Sequence, residues 1–170
     1  MPANWSEEVH RIMQEQNVAQ VAYVPDTGLK HVIELVVADK KMRAVPLTTE
    51  EEGVALATGA WLAGQRSVLL LQSSGVGNCI NMLGMAIECR IPLLMLVTMR
   101  GQWGEFNPWQ MPMAQATASV LTAMGVIVQP VERADDVAET FAAAGRLAFN
   151  TNRVVAVQVA QRVVGAKEFK

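Results

Sequence analysis

Cysteine is scarce: Cys79 and Cys89 are the only two in 170 residues. Both fall in an apolar, helix-like stretch with no histidine near them in sequence. Two thiols make neither a disulfide framework nor a structural zinc site, so a buried, reduced pair is expected. Charge is scarce as well. Only 18% of residues are charged, the net charge is −2 and no basic run occurs, which leaves no electrostatic footprint for nucleic acid. Long apolar runs are missing. The longest, around residues 67–71 and 91–97, are far too short to span a bilayer. The N-terminus lacks the charged segment and apolar stretch of a signal peptide. No membrane association and a cytoplasmic location are the expectations. What is present is apolar residue, 51% of the chain. That supports a substantial core and a single domain over residues 1–170.

The apolar residues fall into two alternating patterns. Short β-branched runs at 18–24, 42–45, 68–72, 93–97, 126–129 and 154–159 read as buried strands. Stretches with helical spacing lie around them, at 6–16, 28–37, 51–63, 78–89, 113–124 and 134–149. Strands alternating with helices of this length predict βαβ units. Strands that are apolar throughout predict helices on both faces. The expected fold is α/β, one doubly wound domain of about six mostly parallel strands. In such sheets ligands bind outside the carboxyl ends of the strands. Four segments occupy those positions: 25–27, 48–52, 72–78 and the Gly-, Trp- and Pro-rich stretch 99–112.

Each segment has a structural explanation and a functional one. In Thr48-Thr49-Glu50-Glu51-Glu52-Gly53, a threonine cap and an acidic first turn account for all three glutamates. In Gln72-Ser73-Ser74-Gly75-Val76-Gly77-Asn78, a tight strand-to-helix connection competes with a loop whose backbone approaches a ligand closely. The glycine spacing fits neither a Walker loop nor a dinucleotide fingerprint. Pro25-Asp26-Thr27-Gly28 is a good turn in which Asp26 could cap a helix or place an acid at a pocket mouth. Arg100 suits a carboxylate, sulfonate or phosphonate, and the tryptophans near it suit a partner subunit. His31 lies a short helical step past Asp26, where a helix histidine is the simpler reading. Ser73 and Ser74 have no histidine partner at a telling spacing, which argues against a serine hydrolase.

Taken in order, Val24-Pro25-Asp26, Glu50-Glu51-Glu52-Gly53, Gln72 through Asn78, Arg100-Gly101 and Asn107-Pro108 form a set. The set resembles the pyrimidine-binding domain of thiamine-diphosphate enzymes, in particular that of sulfopyruvate decarboxylase alpha subunits and phosphonopyruvate decarboxylases. The resemblance covers nearly the whole chain. It implies that Glu50, at the family's spacing from Gly59, is the glutamate that hydrogen-bonds N1′ of the cofactor's aminopyrimidine and drives its imino form. It places Gln72, Ser73, Gly75 and Asn78 beside the cofactor and gives Asp26 a part in protonating or orienting the substrate. Arg100 as the grip on the substrate's anionic tail rests on its charge and position.

Such enzymes also use a diphosphate-binding domain with a Gly-Asp-Gly motif, which this sequence does not contain. Mg2+ and the diphosphate are therefore expected on a separate beta subunit, in a heteromer such as α2β2. The expected function is the alpha subunit of a split 2-oxoacid decarboxylase that takes a small anionic substrate, foremost 3-sulfopyruvate, and releases CO2 to leave an aldehyde. The alternatives are a phosphonopyruvate or other 2-oxoacid decarboxylase or carboligase subunit, or a non-catalytic ligand-binding subunit of flavodoxin-like fold.

Overall fold

The computed structural model of the protein describes residues 5–166; the outermost four residues at each end of the expected domain lie outside that range. Chain order runs α1 (Trp5–Glu15), β1 (Val18–Tyr23), α2 (Lys30–Ala38), β2 (Arg43–Pro46), α3 (Glu50–Leu62), β3 (Arg66–Gln72) and α4 (Ser73–Glu88). It continues through β4 (Leu93–Thr98), α5 (Met111–Ala123), β5 (Ile127–Val131), α6 (Ala134–Thr151), β6 (Val154–Val159) and α7 (Gln161–Val164). Single 3-10 turns at Thr27–Leu29 and Pro108–Gln110 lead into α2 and α5.

The six strands form one sheet in the order β2-β1-β3-β4-β6-β5, and every pairing is parallel. Strands β4 and β6 are buried along their whole length, which is why their sequences do not alternate. The edge strand β5 contains Pro130, and an edge is where a missing N–H is tolerated. One core lies under α1, α2 and α6, where Val9, Met13, Val32, Val36 and Phe141 meet Val68, Leu70, Leu94 and Leu96 of the sheet. The second lies under α3, α4 and α5, where Val54, Val76, Leu83 and Leu121 meet Leu69, Leu71, Met95 and Val97. This is the expected doubly wound α/β domain. The strand order reverses at β1, because β2 lies on one side of β1 and β3 on the other. The carboxyl ends of β1 and β3 therefore flank the crevice where such sheets bind ligands.

Two expectations need correction. Helix α4 starts at Ser73, directly after the last β3 residue, and not at Asn78. Gly75 and Gly77 read as a loop because glycine is a poor helix former, yet both lie within the helix. The expected buried cysteine pair is half right: Cys79 is buried but Cys89 is exposed. Among the described residues no helix is long and apolar enough to cross a membrane.

Candidate active site

Three glutamates open α3, and the structure separates them. Glu52 folds back on the helix start: its Oε2 accepts the backbone N–H of Thr48 at 2.9 Å and of Thr49 at 3.5 Å, completing a capping box. Glu51 is exposed. Glu50 points inward and is only 8% exposed. Asn78 donates its side-chain amide to Glu50 Oε2 at 2.8 Å. A Cβ added to Gly75 would lie 2.3 Å from Glu50 Oε1 and 2.4 Å from its carboxyl carbon. The carboxyl group therefore fills the space a side chain at position 75 would need. Capping thus explains Glu52, exposed Glu51 suits the helix dipole, and packing sets Glu50 apart. The buried Cys79 nearby has its thiol pushed up to about 12, first by burial and then by the charges of Glu50 and Glu51, so it is inert.

A second cluster forms across the crevice between β1 and β3. Asp26 caps the first 3-10 turn, its Oδ2 accepting the Gly28 N–H at 3.0 Å. The Thr98 hydroxyl donates to the same oxygen at 3.1 Å. The Gln72 amide reaches Oδ1 at 3.5 Å, and Gln72 Oε1 is buried with no hydrogen-bond partner. Gln72 and Thr98 are register partners at the ends of β3 and β4, so they share a face, the one on which Leu70 and Leu96 pack. Glu50 and Gly75 belong to helices on the other face. The two carboxylates are thus presented from opposite layers to the same sheet edge, with Gln72 at the strand end between them.

Arg100 belongs to a third group. Its Nε and Nη2 donate to the two oxygens of Glu105 at 2.7 and 2.6 Å, a bidentate pair. Glu105 also accepts the N–H groups of Gly101 and Asn107 and the Gln161 amide. The Arg100 hydrogen bonds hold the Glu105 carboxyl down at about 2 despite its burial, and Glu105 raises the Arg100 guanidinium in turn. Gln161 Oε1 accepts the N–H groups of Gln102 and Trp103, and Gln102 accepts the Gln161 N–H. The segment 99–107 is irregular but tied down by this network. A cleft of about 140 Å³ opens beside it, lined by Asp26, Thr27, Gly28, Thr98, Arg100 and residues 164–166.

The structure thus brings Glu50, Gly75 and Asn78 into one contact set and joins Asp26 to Gln72 in another. Two further expected site residues, Ser73 and Arg100, lie in the loop network. Ser73 is fully buried, and its hydroxyl accepts the Arg100 N–H at 3.1 Å, anchoring the loop. Arg100 lines the cleft and is paired there with Glu105. His31 is half-exposed near Glu7 and Glu34 on the outer face of α2 and is not among the residues lining the cleft. Sequence reasoning missed Thr98, Glu105 and Gln161. The first two stood at a strand end and in the singled-out loop, the signals that could have found them; Gln161 carried none.

Residues 3–117 match the family model described as thiamine pyrophosphate enzyme, N-terminal TPP binding domain. The chain is 34% identical to sulfopyruvate decarboxylase subunit alpha of Methanothermobacter thermautotrophicus, over 92% of this chain and 96% of that one. It is also 34% identical to sulfopyruvate decarboxylase subunit alpha of Methanococcus maripaludis, over 91% and 93% of the two chains. A phosphonopyruvate decarboxylase of Streptomyces viridochromogenes is 39% identical over 52% of this chain and 22% of its own. Among solved structures, 2-oxoglutarate:ferredoxin oxidoreductase from Magnetococcus marinus superposes with a TM-score of 0.76 at 20% identity, covering 92% of this chain and 28% of that one; at that identity it speaks for the fold alone. With its length matched by two alpha subunits and Glu50 set apart at the helix start, the chain belongs to the thiamine pyrophosphate enzyme family, through its N-terminal TPP binding domain.

Proposed function

We propose that the chain is the alpha subunit of a split thiamine-diphosphate-dependent 2-oxoacid decarboxylase of the sulfopyruvate type. The observation that carries this reading is the Glu50 carboxyl group, buried at the carboxyl edge of the sheet, held by Asn78 and fitted against Gly75. The residues present fit the cofactor's aminopyrimidine ring. Glu50 offers a fixed carboxyl group for a ring nitrogen. Gln72 Oε1 is a buried acceptor still lacking a donor, and such an atom costs about 1–3 kcal/mol until it is satisfied. An exocyclic amine would satisfy it.

Thiamine diphosphate, when bound, supplies the electron sink for loss of carbon dioxide. The chain's own residues do the rest. Glu50 would hydrogen-bond a ring nitrogen and hold or release a proton there. Asp26, on the wall of the 140 Å³ cleft, orients the 2-oxoacid and exchanges a proton with it. The volume suits a small substrate such as 3-sulfopyruvate. Arg100, on the same cleft wall and fixed in place by Glu105, is the chain's own cation for the sulfonate. Mg2+ and the diphosphate are assigned to the partner, a beta subunit in a heteromer such as α2β2, since the sequence has no Gly-Asp-Gly. The designation of two relatives as subunit alpha supports this division.

The test is co-expression with a diphosphate-binding partner, followed by CO2 release from a panel of 2-oxoacids with thiamine diphosphate and Mg2+. Turnover of 3-sulfopyruvate above phosphonopyruvate and pyruvate is expected. Equal turnover by the chain without any partner would refute the division of labour.

A further inference from the structure

Two of the three donors on Asp26 converge on one oxygen. Gly28 N–H and the Thr98 hydroxyl both bond Oδ2, at 3.0 and 3.1 Å, whereas Oδ1 has only the long 3.5 Å approach of the Gln72 amide. Thr98 is 1% exposed and lies 72 residues from Asp26 in sequence. It reaches Asp26 across β3, because β4 lies on the far side of β3 from β1. The fit is close. A Cβ on Gly28 would come within 3.1 Å of Asp26 Oδ2 and 3.3 Å of the Thr98 methyl. A valine at position 98 could fill the same space, so packing does not require the hydroxyl. Among the described residues, the hydrogen bond its hydroxyl makes is the one that fixes Asp26.

We propose that Thr98 is a positioning residue for the decarboxylation: by holding Asp26 Oδ2 in place, its hydroxyl leaves Oδ1 as the oxygen that meets the substrate. This rests on Asp26 acting on the substrate, as proposed above. A carboxylate is symmetric, and a free one presents either oxygen by rotation about its Cβ–Cγ bond. With Oδ2 pinned by two donors, that rotation is blocked and Oδ1 is aimed. Loss of aim reduces turnover more than binding, because a displaced catalytic group weakens the transition state first.

The experiment uses the alpha subunit assembled with its partner and loaded with thiamine diphosphate and Mg2+. Thr98→Val and Thr98→Ala remove the hydroxyl, and Thr98→Ser keeps it. The expected result is a fall in kcat of about tenfold to a hundredfold for Val and Ala, the scale of a hydrogen bond to a charged group. The KM for the 2-oxoacid should move far less, and Ser should restore most of kcat. In an Asp26→Ala background, Thr98→Val should cost nothing further, because the two residues act as one unit. Two hydroxyl-less variants of different volume guard against one of them failing to fold. Wild-type kcat in Thr98→Val, with Asp26→Ala impaired, overturns the proposal and leaves the Asp26 role standing. An equal loss from Thr98→Val with and without Asp26 overturns it likewise. Full activity of Asp26→Ala overturns the Asp26 reading, and this one with it.

Discussion

Gly75→Ala is a small change with a large expected effect. The added methyl would lie 2.3 Å from Glu50 Oε1, 2.4 Å from its carboxyl carbon and 2.5 Å from Cγ. Ordinary contact begins at about 3.4 Å for such atoms, so the carboxyl group must retreat by roughly an ångström. Glu50 can do so, since it is the free end of a flexible side chain, but then it leaves Asn78. Stability should fall only modestly. Losing the Asn78–Glu50 hydrogen bond, one to a charged group, costs about 1.5–3 kcal/mol, and replacing a helical glycine by alanine returns about 1 kcal/mol, a net loss of at most about 2 kcal/mol. Function should suffer far more, because misplacing a catalytic group by an ångström costs on the order of a hundredfold in rate. Circular dichroism of the chain should therefore be near wild type and its melting temperature only modestly lowered, while CO2 release by the assembled, cofactor-loaded enzyme falls about a hundredfold. Wild-type turnover in Gly75→Ala would refute the reasoning, since Glu50 cannot occupy its present place beside a Cβ at position 75.

Glu50→Gln should keep the fold and lower turnover by about a hundredfold or more, the range of a lost acid–base group; a fully active variant would sink the Glu50 assignment. Glu105 makes a pH-dependent contribution to stability. Its carboxyl is lowered from an ordinary 4.5 to about 2 in the folded state, so its stabilisation is complete above pH 4.5 and lost as pH falls toward 2. Melting temperatures measured against pH should show Glu105→Gln less stable than wild type near neutrality and the gap closing in acid; a gap that stays constant contradicts the pairing. Of the two thiols, exposed Cys89 should react with a thiol reagent in the native chain while buried Cys79, with its thiol raised to about 12, waits for denaturant. Rapid modification of both in the native state would contradict this burial.

Much of the architecture was legible because one rule, apolar strands alternating with amphipathic helices, operates along the chain and is local. The start of α4 was not. Gly75 looks like a helix breaker, and the reason it sits in a helix lies in a contact with Glu50 from another element. Local propensity failed at the site where function overrides it. The three acidic residues of 50–52 were equivalent as caps until tertiary packing buried one of them. Thr98 had only its place at a strand end to mark it and Gln161 had nothing, since their partners Asp26 and Glu105 lie 72 and 56 residues away. Glu105 was missed for a related reason: the position of Arg100 beside the cleft was visible from its strand end, but a counter-ion five residues on was not given its weight.

The most direct measurement follows the cofactor's C2 proton. Thiamine diphosphate and Mg2+ are added to the chain with its partner in D2O, and loss of the C2–H signal is timed by quenched-flow NMR. Exchange should be fast in the wild-type assembly. It should return to the free-cofactor rate with Glu50→Gln, and with this chain or the partner alone. Fast exchange in the Glu50→Gln assembly, or with either chain alone, would contradict a half-site built on Glu50.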